Sequence, residues 1–289
     1  MNRPQQKSAL RFPTLILMGA VCAALLAVAL RTVSLLCFFD ADIEYYQRDA
    51  IVPMLSGIFT ALVAVAAVGI GILTRSKGTL FEADGKAQTL AVRITSILCA
   101  LLLLCYALLQ VRAANASGLS FSFGSILSLL SVLLSVLYFM MNLRPQDPAV
   151  QVLLGFGVIL FLVLTLTTSY FDVLVPMNAP NKIFLHLSCL SLTLFLTAEF
   201  RALFGTIRKT FYWVSASLAL LLSATYAIPA LVACLAGAMP LSLYGGEFPT
   251  ALLHMAFSLY ILTRLAAFCA PTQKPLEDEN NLTERNEEA

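Results

Sequence analysis

Eight long apolar runs, separated by short polar segments, constrain this chain more than any other feature of its sequence. Each run is about 20 residues long, which is the length that a helix needs to cross the hydrocarbon core of a bilayer. The chain is 60% hydrophobic and only 12% charged, too apolar for a soluble domain. Lipid admits helices or closed barrels, and barrel strands would alternate over about ten residues. The sequence therefore predicts an all-α fold, a polytopic transmembrane helical bundle.

The predicted spans define the domain organisation. They cover residues 13–35, 51–73, 91–111, 123–142, 149–169, 183–203, 211–235 and 250–269. We expect a short N-terminal segment over residues 1–12, an eight-helix membrane domain over 13–270, and an acidic tail over 271–289. The tail is polar and rich in glutamate, which is typical of disorder. Pro229 lies inside the seventh span and predicts a kink just before it.

Lys and Arg residues are distributed unequally between the two sides of the membrane. Thirteen lie in segments on the side of the termini, and three lie in the opposite loops. Because cytoplasmic segments carry the excess of Lys and Arg, both termini are predicted to be cytoplasmic. The short loops are typical of a bacterial protein, which predicts the plasma membrane as its location.

Short motifs recur in the same order on the first four and the last four spans. Cys37–Asp40 (CFFD) matches Ser169–Asp172 (SYFD), and CYALL and SVLYF have counterparts in TYAIP and FSLYI. A parallel repeat of residues 13–145 and 149–270 would give a pseudo-two-fold axis along the membrane normal. Such matches also arise by chance in apolar sequence, so the duplication remains an open alternative.

Four ionisable residues near the outer ends of the spans are the candidate site residues. His186 and His254 lie at one depth on the sixth and eighth spans, where two histidines suit a shared metal or a proton relay. Asp40 and Asp172 occupy matching places in the two halves. The competing interpretation, which we favour for the histidines, is an interfacial role with bonds to backbone or lipid.

Charge inside a span is costly and often functional, and we consider Arg31, Glu199 and Arg264 in this light. Arg31 lies near the outer end of the first span, and we expect its side chain to extend to the headgroups. Glu199 and Arg264 lie at similar depth near the inner ends of the sixth and eighth spans. They suit an interhelical ion pair, but we prefer the alternative in which Glu199 faces the headgroups beside Arg201.

Small residues line two spans at helical spacing and predict close helix packing without a ligand. On the second span they are Gly57, Ala61, Ala64, Gly69 and Gly71. On the fourth span they are Ser125, Ser128, Ser131 and Ser135, which fall within about 120° of the helix circumference.

Several classes of protein are excluded by the motifs that the sequence lacks. It contains no His-Glu-x-x-His zinc site, no Gly-x-Ser-x-Gly nucleophile and no Walker lysine. The acidic stretch after Asp40 has Tyr45 and Ile51 where a calcium loop needs Gly and Glu. We therefore expect no cofactor and no metal. Neither nucleotide nor nucleic acid is expected as a partner, since the net charge is only +2.

Three functional classes remain after these exclusions. We favour a non-enzymatic membrane subunit or accessory factor, because the spans hold few polar groups. The alternative is a small transporter with a pathway between two four-helix halves. The third is a membrane enzyme with His186, His254, Asp40 and Asp172 at an outer-face site. The expected partners are the lipid bilayer and, for the favoured class, other membrane subunits.

Overall fold

Eight long helices dominate the structure, a computed structural model that describes residues 4–47, 50–74, 80–81, 89–116, 123–143, 147–173, 175–241 and 246–269. These helices are α1 (Pro4–Phe38), α2 (Ile51–Thr74), α3 (Leu90–Ala116), α4 (Phe123–Met141), α5 (Pro148–Phe171), α6 (Pro180–Leu203), α7 (Lys209–Leu235) and α8 (Glu247–Cys269). Each contains 19 to 27 residues that are apolar enough to cross a membrane. The prediction of an all-α, eight-span membrane bundle is confirmed.

The predicted span boundaries agree with the helices to within a few residues, except at the N-terminus. There α1 begins at Pro4 and continues through Pro13, so most of the predicted N-terminal segment 1–12 is helical. Its membrane-length apolar part begins only at Leu17. The prediction followed the apolar run, which does not report on a helical extension of the polar residues before it. The predicted acidic tail, 271–289, lies outside the described residues.

The central helix of the bundle is α7. It is buried over 78% of its spanning window, against 11% for α2. It packs against α1, α2, α6 and α8. From α8 the packing continues through α3, α4 and α5 back to α6, so α3 to α8 form a closed ring with α1 and α2 outside α7. Side chains from α1, α6 and α8 therefore converge around α7.

Helix packing does not follow the two predicted halves, 13–145 and 149–270. The contacts of α4 with α5, of α3 with α8 and of α1 with α7 all join one half to the other. In a repeat, α2 and α3 of the first half would correspond to α6 and α7 of the second. These pairs differ, because α6 packs extensively on α7 whereas α2 does not pack extensively on α3. The halves are not separate packing units, and the internal repeat stays a prediction.

Two small antiparallel sheets connect loops at opposite ends of the bundle. At one end, β1 (Phe39–Asp40) and β2 (Tyr45–Tyr46) form a hairpin between α1 and α2. At the other end, β3 (Leu80–Phe81) pairs with β4 (Ile207–Arg208). We call the first the hairpin end and the second, where α1 begins and α8 ends, the terminal end.

The small residues of α2 pack less closely than the sequence predicted. Gly71 contacts Val214, and Ala64 packs against a buried cluster of α1 and α7. Gly57 and Gly69, by contrast, would have no atom within 4 Å of an added Cβ. The prediction is wrong at these two glycines, because α2 lies at the periphery and turns most of its surface away from the protein.

The serines of α4 pack closely, as predicted. Ser131 and Ser135 are fully buried, and their hydroxyls donate to carbonyls of α4 itself. Ser128 contacts Gln110 of α3. Because these hydroxyls are satisfied locally, the stripe lets α4 approach its neighbours without requiring a ligand.

Aromatic side chains fill the middle of the ring of helices. Phe139 stacks on Phe257 with 5.8 Å between ring centres, and Tyr260 lies edge-on to Phe139 at 5.3 Å. Phe195 contacts Tyr260 from α6. We call these four residues the central aromatic layer. The apolar pocket beside them is lined by aromatic and aliphatic side chains alone.

Candidate functional site

Arg31 is the centre of a buried group of side chains at the hairpin end. Its Nη2 donates to Asn181 Oδ1 at 2.6 Å, and its Nη1 donates to Tyr46 Oη at 3.2 Å. The guanidinium carbon lies 3.7 Å from the centre of the Phe184 ring. Arg31, Asn181, Tyr46 and Phe184, together with Glu247 described below, form what we call the hairpin-end cluster.

The prediction that Arg31 extends to the headgroups is wrong. Only 1% of the residue is exposed, because its side chain points from α1 across the bundle toward α6 and the hairpin. Hydrogen-bond acceptors of the protein and an aromatic ring replace the headgroups and water that a snorkelling arginine would find.

The direct partners of Arg31 are all neutral. Asn181 is an amide, and burial raises the pKa of Tyr46, with Arg31 opposing the shift, so this hydroxyl stays protonated at neutral pH. Arg31 Nε has no hydrogen-bond partner in the part of the chain that the structure describes. Within the described residues, no carboxylate forms an ion pair with Arg31.

Glu247 is the carboxylate that acts on Arg31 from a greater distance. It lies half-buried in the first turn of α8, and its Oε2 accepts a hydrogen bond from Tyr226 Oη at 2.8 Å. A carboxylate in the first turn is also stabilised by the helix dipole. The hairpin-end cluster thus holds a cation and an anion that are each bonded to neutral groups.

His254 lies deeper in the bundle, next to Tyr226. Its Nδ1 is 2.7 Å from Ser188 Oγ, and its Nε2 is 4.0 Å from Cys189 Sγ. His254 and Ser188 are both completely buried. The interfacial role that we favoured is therefore wrong for His254, which bonds to α6 inside the protein. Sequence analysis missed Ser188 because nothing in its local pattern links it to a histidine 66 positions away.

The Ser188–His254 pair resembles a nucleophile with its base only in part. An activated serine needs a histidine whose second nitrogen is oriented by a further group, usually a carboxylate, and needs access for a substrate. Here the second nitrogen faces Cys189, and both partners are sealed from solvent. The bond joins α6 to α8.

His186 occupies a different side of α6. Its Nε2 lies 3.3 Å from Ser169 Oγ of α5, and the residue is half-buried. Residues 186 and 188 are about 200° apart around a helix, so His186 faces away from Ser188 and its partner on α8. The structure does not bring His186 and His254 together.

Asp40 and Asp172 both lie on the exposed surface of the hairpin end. Asp40 accepts a hydrogen bond from the backbone N–H of Asp42 at 3.0 Å. Asp172 ends α5, and its backbone carbonyl accepts from Lys182 Nζ at 2.8 Å. Asp172 interacts electrostatically with Glu44 of the acidic stretch. Burial raises the pKa of Glu44, and the negative charge of Asp172 raises it further, while the positive charge of Lys182 opposes the shift.

Replacing Glu44 by glutamine is expected to stabilise the protein at neutral pH. The raised pKa means that the folded state disfavours the ionised carboxylate, a cost that disappears as pH falls below the usual range of glutamate. Melting curves of both proteins at pH 7 and pH 4 measure this difference. The gain should shrink at pH 4, and an equal gain at both values would mean that the charge is not its cause.

A second buried cluster, of Glu199, Arg264 and Tyr212, lies at the terminal end, and we call it the terminal-end cluster. Glu199 forms an ion pair with Arg264, and Tyr212 Oη donates to Glu199 Oε2 at 2.6 Å. Nearby, Asn142 donates to Tyr260 Oη of the central aromatic layer at 3.3 Å. The interhelical ion pair is confirmed. Our preference for Glu199 at the headgroups is wrong, because only 2% of its side chain is exposed and it faces α7 and α8.

A metal centre needs several ligands that converge on one point. Within the described part of the chain, no three His, Cys, Asp or Glu residues come together in this way. Comparison with protein-family models, with curated proteins and with solved structures finds no match to this chain. We therefore infer function from the geometry of the two clusters.

Proposed function

We propose that this multi-pass membrane protein is a non-enzymatic subunit or accessory factor of a membrane complex. The observation that carries the proposal is the central aromatic layer, which lies between the hairpin-end cluster and the terminal-end cluster. Solute pathways are usually lined by polar groups near the middle of the membrane. Here ring contacts of Phe195, Phe257 and Tyr260 lie along α6 and α8 between the two charged clusters.

The buried polar groups support the same proposal. Glu199, Arg264 and Tyr212 bond one another across α6, α7 and α8, and Ser188 bonds His254 across α6 and α8. Ser223 and Ser258 share a hydrogen bond between α7 and α8 at 2.7 Å. Groups used in this way connect helices, which is a structural role.

The proposal includes a location and an orientation. We infer that the protein resides in the plasma membrane with its terminal end in the cytoplasm. The excess of Lys and Arg on the side of the termini, thirteen against three, supports this orientation. The exposed carboxylates of Asp40 and Asp172 would then lie outside the cell.

A small transporter is the second candidate. Arg31 and Glu247 favour it, because two opposite charges at one end of a bundle suit the entrance of a solute pathway. This candidate requires the central aromatic layer to open, and it requires movement between halves whose helices pack on each other. An enzyme ranks third, because His254 is sealed inside the bundle whereas Asp40 and Asp172 are exposed at its surface.

Site-specific photo-crosslinking in cells tests the favoured function. A photoreactive phenylalanine would be placed at Leu62 of α2, Leu133 of α4 or Leu153 of α5, which are exposed, and at Phe195, which is buried, as the control. We expect a defined adduct with a second membrane protein from at least one exposed position and none from Phe195. The same partner should remain bound in native nanodiscs at a fixed ratio.

Reconstitution of the purified protein into vesicles tests the transporter, the second candidate. Vesicles that contain only the 31.3 kDa chain would be tested for uptake of radiolabelled amino acids, sugars and inorganic ions. The subunit proposal predicts no uptake above that of empty vesicles. Uptake by the isolated chain, with lipid as the only crosslinked species, would replace this proposal with the transporter.

A further inference from the structure

Arg31 differs from the other buried arginine of this bundle in the charge of its partners. Arg264 contacts Glu199 directly, as expected for a cation removed from water. Arg31 is more deeply buried, yet its hydrogen-bond partners are the neutral groups of Asn181 and Tyr46. Its Nε is unpaired. The hairpin-end cluster thus contains a cation with unused capacity to bind an anion.

An anion is the natural ligand of this guanidinium. Carboxylate and phosphate groups present two or more oxygens, which match the several N–H donors of arginine. Tyr46 Oη occupies the place of one such oxygen at Nη1. This hydroxyl belongs to the hairpin of residues 39–46, so displacement of Tyr46 would expose Arg31 to a ligand from the hairpin end.

The surroundings of Arg31 favour a ligand that also carries a positive charge. Glu247 interacts electrostatically with both Arg31 and Glu44, so two carboxylates lie within electrostatic range of each other at the cluster. They would repel a simple anion. In a ligand that has an ammonium group close to its anionic group, the anionic group could bind Arg31 while the ammonium group interacts with Glu247.

We propose that Arg31 and Glu247 form a binding site for a zwitterion, with its phosphate or carboxylate on Arg31 and its ammonium group toward Glu247. This chemistry has two sources, the headgroup of phosphatidylethanolamine and a free amino acid or phosphoethanolamine. The site goes beyond the proposed function, and it does not depend on whether the protein works in a complex.

The variant Asn181→Asp tests whether Arg31 lacks an anion. The substitution places a carboxylate oxygen where the amide oxygen now lies, 2.6 Å from Arg31 Nη2. We expect the variant to melt at a higher temperature than the unaltered protein, because the buried cation gains a partner. Occupation of Arg31 should also weaken zwitterion binding by about tenfold or more. If the variant is more stable, as expected, misfolding cannot explain its loss of binding.

Binding is measured in nanodiscs of phosphatidylglycerol, whose headgroup lacks an ammonium group. Phosphatidylethanolamine is added to the disc, or glycine or phosphoethanolamine to the buffer, and the melting temperature is compared between the unaltered protein and Asn181→Asp. A rise confined to the unaltered protein supports the site. A response to phosphatidylethanolamine alone assigns the lipid source, and a response to glycine or phosphoethanolamine assigns the soluble one.

Two further variants separate the halves of the site. Tyr46→Phe removes the hydroxyl that competes for Arg31 and should raise zwitterion affinity. Glu247→Gln should remove the preference for phosphatidylethanolamine over phosphatidylglycerol in native mass spectrometry of retained lipid. The proposal is overturned if Asn181→Asp melts at a lower temperature than the unaltered protein. It is also overturned if no zwitterion raises the melting temperature of the unaltered protein more than that of Asn181→Asp, or if the unaltered protein retains phosphatidylethanolamine and phosphatidylglycerol equally.

Discussion

Replacing Glu199 by glutamine is expected to destabilise the protein by about 3–5 kcal/mol. The substitution leaves Arg264 as a buried cation without its carboxylate partner, and only 2% of the Glu199 side chain and 13% of the Arg264 side chain are exposed. Tyr212, which donates to Glu199, would keep an acceptor but a weaker one. Equilibrium unfolding in mixed micelles, followed by circular dichroism, measures the loss.

The double variant Glu199→Gln with Arg264→Gln is the matched control. Once both charges are removed, no uncompensated buried charge remains, so the loss should be much smaller than the sum of the two single losses. Losses that add without coupling would show that the two side chains do not depend on each other.

Replacing Gly157 by alanine is expected to destabilise the bundle by about 1–3 kcal/mol. The added Cβ would lie 2.3 Å from Leu134 Cβ and 3.1 Å from the backbone carbonyl carbon of Leu134, so α4 and α5 would have to separate. Since backbone atoms are involved, a rotamer change of Leu134 cannot relieve the overlap completely. The midpoint of unfolding in the same micelles gives the effect.

Gly69→Ala is the control for this substitution, because it makes the same chemical change on another spanning helix. An added Cβ at Gly69 meets no atom within 4 Å. Alanine is favoured over glycine in a helix by up to about 1 kcal/mol, so this variant should be neutral or slightly more stable. Equal losses at both positions would argue against close packing of α4 and α5 at Gly157.

The helices were predictable because each apolar run must satisfy its own backbone in lipid. That requirement is local, and it does not depend on which helix lies beside which. The one larger boundary difference, the start of α1 at Pro4, concerns polar residues before the apolar run. Hydropathy carries no information on such an extension.

The environment of single polar residues was much less predictable. Arg31 and Glu199 were both expected at the headgroups, since they lie within reach of a helix end. Depth along a helix can be estimated from sequence, but the direction of a side chain around the helix has meaning only when the neighbours are known. Both residues face the protein interior and bond to helices far away in the chain.

The sequence by itself determined the class of this protein, its eight spans and a charge asymmetry that predicts its orientation. Those properties follow from the transfer of continuous segments into lipid, which composition and length decide. Only the tertiary structure decided which polar groups meet. It brought Ser188 to His254, paired Glu199 with Arg264 and left Arg31 among neutral partners. The physical reason is that these contacts depend on the rotation and order of helices around α7, which apolar runs of similar hydropathy do not encode.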